Sequence, residues 1–168
     1  NVVIKKPATP GKENLKTGVV QGHTEMVCEK NSGVEHDFMK DPILTEVDGD
    51  WLKAKGTTLG ADDGIGVATG LAILADESIE HGPIECLFTV DEETQLTGAN
   101  ALKEGFMSGD ILINLDSEDD GQLFIGCAGG INTVGELKYT QIDAPKDYYC
   151  FKVHVSGLVG GHSGDDIN

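Results

Sequence analysis

Apolar positions along this chain fall into short runs, and most of the runs end in acidic or glycine-rich residues. Residues 2–5 read as a short strand, followed by a Pro/Gly loop over 7–11. Gly18-Val19-Val20-Gln21-Gly22 reads as a second, buried strand that delivers His23, Thr24 and Glu25 at its carboxyl end. Residues 43–55, centred on Asp48-Gly49-Asp50, predict a hairpin around an Asp-Gly turn. Ile65, Val67, Ala68, Leu71, Ala72, Leu74 and Ala75 predict a helix packed along most of its circumference. Residues 84–90 read as a central strand ending in Asp91-Glu92-Glu93. Residues 96–103 read as a second helix, and 111–115 as a strand that ends in the acidic run starting at Asp116. Alternating strands and helices predict an α/β fold, a sheet with helices packed on its faces. From Gly121 the texture changes: residues 122–126, 131–137 and 148–155 look like strands. A boundary near Gly129-Gly130 separates 1–128 from a new, mainly β unit over 129–168.

A length of 168 residues allows one ordinary domain with a piece of a second. The net charge of −17 argues against nucleic-acid binding, which needs a basic face to replace phosphate counterions. The same charge suits carboxylates collected to hold cations. Cys28, Cys86, Cys127 and Cys150 are too widely spaced for a zinc knuckle and too few for a disulfide scaffold, so free thiols in a reducing, cytoplasmic compartment are expected. No apolar run is long enough to span a membrane and no signal peptide is visible. The chain starts within a strand-like pattern without an initiator methionine and stops where a helix is about to begin; it is expected to be a fragment of a longer protein.

Leu59-Gly60-Ala61-Asp62-Asp63-Gly64-Ile65-Gly66 sets two adjacent carboxylates between glycines at the entrance of the first helix. One Asp there is explained by helix capping, which favours Asp beside the positive end of the helix dipole. The second is not. His23 and Glu25, Asp91 with Glu92 and Glu93, and Asp116 each stand where an apolar strand finishes, and ligands in open α/β sheets collect outside the carboxyl ends of strands. Solvated loops account for any one of these clusters, but not for their recurrence at strand ends. Gathered in one place, the carboxylates raise each other's pKa unless a cation is present. One His with Asp and Glu oxygens suits zinc, manganese or cobalt better than calcium.

Six motifs occur in order: His23-Thr24-Glu25-Met26-Val27, the segment from Thr57 to Gly66, Asp91-Glu92-Glu93, Asn114-Leu115-Asp116-Ser117-Glu118, Gly126-Cys127-Ala128-Gly129-Gly130 and Gly160-Gly161-His162-Ser163-Gly164. Together they resemble the peptidase D family of cytosolic aminoacyl-histidine (Xaa-His) dipeptidases, within the superfamily of co-catalytic zinc peptidases and aminoacylases. The resemblance implies a mixed sheet with helices on both faces, an incomplete zinc-exopeptidase-like catalytic domain over 1–128, and the start of an α+β lid or dimerisation domain over 129–168. It also implies two divalent metal ions, zinc with manganese or cobalt as alternatives, that share a bridging carboxylate and a bridging water. His23 and Asp116 would hold one metal, Glu93 would help hold the other, and Asp62 would bridge them. Glu92 would be the general base that takes the water's proton and passes it to the leaving amine. His162 would help bind substrate or stabilise the oxyanion, reaching the neighbouring subunit in dimeric relatives, so a homodimer is a possible partner beside the small peptide substrate. Another His ligand would lie beyond this chain. The family has His-x-Asp at the first motif, where the Asp fixes the ligand His; here the position is Glu25, which is expected to keep that role. Asp63 is expected to shape the loop. The function implied is metal-dependent hydrolysis of dipeptides. Alternatives are an aminoacylase or carboxypeptidase of the same superfamily, and a non-catalytic relative that binds metal or peptide.

Overall fold

Three of the apolar runs become parallel strands of one sheet, and their parallelism brings the acidic ends together. The computed structural model describes residues 1–117, 121–126, 131 and 133–159. Its elements in order are β1 (Val2–Lys6), β2 (Gly18–His23), β3 (Thr45–Asp48), β4 (Trp51–Ala54), α1 (Ala61–Ala75), β5 (Ile84–Thr89), α2 (Glu92–Gln95), α3 (Thr97–Asn100) and β6 (Ile111–Asn114). The main sheet runs β1-β5-β2-β6, with β2 parallel to both β5 and β6 and β1 antiparallel to β5. The sheet is therefore mixed. β3 and β4 form the expected hairpin, closed through Gly49 at φ 63°, a positive value that glycine adopts without strain.

The chain leaves β2 toward β5 on one side and returns from β5 to β6 on the other. Right-handed crossovers running in opposite directions must lie on opposite faces of a sheet. α1 accordingly packs on the face presented by Cys86 and Phe88, and Gly70 lets it come close enough that an added Cβ would stand 3.3 Å from the Phe88 ring. The opposite face, carrying Gln21, Leu87 and Thr89, is covered by Leu96, Ala99 and Leu102 around α3, leaving a cavity of about 200 Å³. Val19, Cys86, Leu87 and Phe88 form the buried apolar core. Each such side chain contributes about 1.5–3 kcal/mol by leaving water.

Two expectations need correction. α1 is not packed around most of its circumference: its buried positions are Asp63, Gly66 and Gly70, while Ile65 is 68% exposed and Leu71 48%. Gly70 makes the closest approach to the sheet, while Val67, Ile73 and Leu74 are only half-buried. The helix expected over 96–103 shortens to the single turn Thr97–Asn100, entered from Leu96 at φ 53°. The Thr97 and Gly98 amides, which have no acceptor within the helix they begin, donate back to the Asp91 and Val90 carbonyls at 3.3 and 2.9 Å and dock that turn behind β5.

The compact units are Asn1–Leu123 and Phe124–Asn168. Among the described residues of the second unit there is no strand or helix. They include a turn in which the Tyr148 amide donates to the Pro145 carbonyl at 3.1 Å. Among the described residues of 122–126, 131–137 and 148–155, where strands are expected, none is formed. A strand exists only when a neighbour satisfies its alternate N–H and C=O groups, and sequence alternation supplies no neighbour. Gly129 and Gly130, the expected boundary, lie outside the described residues.

At the amino end of β5 the Glu85 carboxylate is 2% exposed. It accepts from Lys5 Nζ at 2.7 Å, the Ser108 amide at 2.8 Å and the Ser108 hydroxyl. Burial pushes its carboxyl up, but the Lys5 and Ser108 contacts outweigh this and hold it down at about 2. A folded value below the unfolded one means stability present above pH 4.5 and lost as pH falls through 2. Denaturant unfolding of the protein and its Glu85→Ala variant should therefore differ by about 3 kcal/mol at neutral pH, and the gap should close toward pH 2.

Candidate metal centre

β2 ends at His23, β5 runs into Asp91-Glu92-Glu93, and β6 runs into Asp116. Because the three strands are parallel and adjacent, these residues share one edge of the sheet, with Asp62 and Asp63 entering from the start of α1. His23 is 1% exposed. Its Nε2 lies 3.0 Å from Asp62 Oδ1 and 3.7 Å from Asp116 Oδ1. Its Nδ1 lies 3.0 Å from the Glu25 main-chain oxygen. A carbonyl oxygen only accepts, so Nδ1 carries the proton and Nε2 faces the carboxylates with its lone pair when the ring is neutral. Burial pulls the His23 pKa down, but the hydrogen bond to Asp62 and the charges of Asp116, Glu25 and Asp62 outweigh it, and the net direction is up.

The two aspartates of the doublet divide the work. Asp62 faces His23. Asp63 is 3% exposed and turned inward: Oδ2 accepts from the His23 amide at 3.1 Å and Oδ1 from the Gly66 amide at 3.1 Å. Asp63 thus caps the regular turns of α1 and ties them to the end of β2, as its loop-shaping role requires. The peptide bond between the pair is cis. A Cβ at Gly22 or Gly66 would overlap the Asp63 carboxylate, so both glycines make room for this strap.

Ligand atoms of His23, Asp62 and Glu93 lie within 4.8 Å of one another, and so do those of His23, Glu92 and Asp116. The neighbours Glu92 and Glu93 thus turn to different groups around one imidazole. Burial raises the Asp116 carboxyl to about 7, with its hydrogen bond to Asp62 adding to the effect. Burial likewise raises Glu93, helped by Asp62 and Glu92. One buried imidazole among crowded carboxylates is the donor set of a borderline-hard divalent cation, and these residues fit one.

Glu25 behaves in a way its sequence position does not reveal. Its main-chain oxygen, not its carboxylate, meets His23 Nδ1; carboxylate Oε1 stands 3.6 Å away. The carboxylate accepts instead from the amides of Glu92 and Glu93. Burial pushes its pKa up, and main-chain amides, including those of Glu92 and Glu93, bring the net direction below the usual range. The extra methylene at this position is the one sequence signal that could have announced the change of partner. His162 lies outside the described residues.

The fold and site define a mixed α/β domain with a His-carboxylate centre of divalent-metal type at the carboxyl edge of its sheet. Over all 168 residues the chain is 50% identical to the cytosol non-specific dipeptidase of Escherichia coli, of which it spans 35%. The crystal structure of the aminoacylhistidine dipeptidase from Vibrio alginolyticus is similar over 71% of this chain and 24% of that one, at 58% identity and a TM-score of 0.69. Aminopeptidase PepT from Bacillus cereus is similar over 70% of this chain and 29% of that one, at 27% identity and a TM-score of 0.56. No protein-family model matches the chain. Among the described residues no helix is long and apolar enough to cross a membrane.

Raised carboxyl groups have a measurable sign. Between pH 3.8 and about 7 the folded, metal-free protein holds a proton on Asp116 that the unfolded chain has released. That contribution to stability is lost as pH rises through 7. A divalent cation needs the deprotonated form, so apparent Mn2+ or Zn2+ affinity should rise with pH up to about 7 and then flatten, with proton release below it. Calorimetry in buffers of different ionisation enthalpy reads this directly.

Proposed function

We propose that this chain carries part of the active site of a divalent-metal-dependent dipeptidase that acts in the cytoplasm. The observation that carries the reading is the convergence of His23, Asp62, Glu92, Glu93 and Asp116 at one sheet edge, in a chain half identical to a dipeptidase along its whole length. Two metal ions, zinc being the first choice, are the proposed complement. His23 and Asp116 would hold one, Glu93 would help hold the other and Asp62 would be shared by both. Cations held there would act as Lewis acids, activating water and polarising the scissile carbonyl. Glu92 takes the proton of the attacking water and hands it to the leaving amine. The strap from Asp63 keeps the His23 main chain fixed.

The substrate we propose is a dipeptide with C-terminal histidine, by likeness to the Vibrio aminoacylhistidine dipeptidase. Residues 1–128 would be the metal-bearing part and 129–168 the opening of a lid that brings His162 to substrate and mediates a homodimer.

The test is a substrate panel of Xaa-His, other dipeptides, a tripeptide and an N-acetyl amino acid, with and without chelator, on the protein that carries this chain. Chelator-sensitive cleavage favouring Xaa-His is expected. Cleavage of the acetylated compound alone would move the protein to the aminoacylases, and metal binding with no turnover would make it a binding protein. Glu92→Gln should lower kcat by about 10³-fold or more while metal affinity changes little, and unaltered turnover would refute the base assignment.

A further inference from the structure

The carboxylate of Glu25 has a choice of partners, and the geometry separates them. His23 Nδ1 is already satisfied by the Glu25 main-chain oxygen at 3.0 Å, and the carboxylate stands 3.6 Å off, beyond a hydrogen bond. Carboxylate Oε1 reaches across 67 and 68 residues of sequence to the Glu92 amide and, at 3.3 Å, the Glu93 amide. Those amides have no nearer acceptor. Asp91 stands at the head of their turn but spends its carboxylate on the Thr94 and Thr97 hydroxyls and makes no cap to the main chain. The turn itself is held open by Asp91 at φ 60° and Leu96 at φ 53°. Left-handed conformations of non-glycine residues cost of order 1 kcal/mol or more and persist only where their surroundings fix them.

We infer that Glu25 is a positioning residue for the Glu92-Glu93 turn, aiming its two acids in different directions, while its main-chain oxygen orients His23. This rests on the proposed dipeptidase reading for its consequence in catalysis, but not for its geometry. Shortening Glu25 by one carbon–carbon bond, about 1.5 Å, withdraws the acceptor from both amides while preserving the charge. Replacing it by glutamine removes the charge while keeping an acceptor oxygen at the same reach.

Glu25→Gln, Glu25→Asp and Glu25→Ala separate reach from charge. In metal-free protein, hydrogen exchange of the peptide spanning residues 91–95 should stay slow in Glu25→Gln. It should quicken about tenfold in Glu25→Asp and Glu25→Ala, as loss of about 1.4 kcal/mol of protection implies. With an Xaa-His dipeptide, kcat should follow the same order, Gln well above Asp, and KM should move little. Glutamine exchanging as fast as alanine, or aspartate as slowly as the parent, overturns the inference. If the protein cleaves no dipeptide, the exchange experiment still decides the role of Glu25, and only the dipeptidase reading falls.

Discussion

Like charges crowd around one buried imidazole, and the sheet leaves them no room to separate. β2, β5 and β6 run parallel and adjacent, so whatever their carboxyl ends carry must share one edge. His23, Asp116 and the Glu92-Glu93 pair are therefore neighbours by topology, before any side chain chooses a rotamer. Burial then strengthens their interaction, because fewer waters screen it. The upward direction of His23, Glu93 and Asp116 is the signature of that crowding.

The two ends of the sheet handle buried carboxylates in opposite ways. At the amino end of β5, Glu85 meets Lys5 and Ser108 and is held ionised. At the carboxyl ends the acids meet mostly one another. One arrangement stabilises the fold at neutral pH and the other opposes it, which is how a site poised for chemistry differs from a structural ion pair.

Much of this was legible in the sequence. The apolar runs at 18–22, 84–90 and 111–115 named the strands, and the acidic residues after them named the edge where the site forms. What stayed hidden depends on packing. Asp62 and Asp63 are the same residue type, and only the turn between β2 and α1 decides that one faces His23 while the other is folded under. In α1 the leucine and isoleucine positions attract attention, yet Gly70 makes the closest contact with β5, because closeness to the sheet matters more there than side-chain area. Thr97 and Gly98 give no warning that their amides dock on the carbonyls of Asp91 and Val90 just after β5. The alternation over 148–155 describes a strand, but ladder partners are not a property of the segment that needs them. Glu25 shows its carboxylate in sequence and not its reach.

Gly22, Asp63 and Gly66 occupy one volume. The carboxylate of Asp63 fills the space where a methyl group at either glycine would stand, and it accepts from the His23 and Gly66 amides. No single substitution at any of the three leaves the other two content: a side chain at 22 or 66 evicts the carboxylate, and a smaller residue at 63 strands the amides beside a void. The three positions are thus inherited as a block, and in descendants of this sequence they should change together or not at all, although 44 residues separate the first from the last.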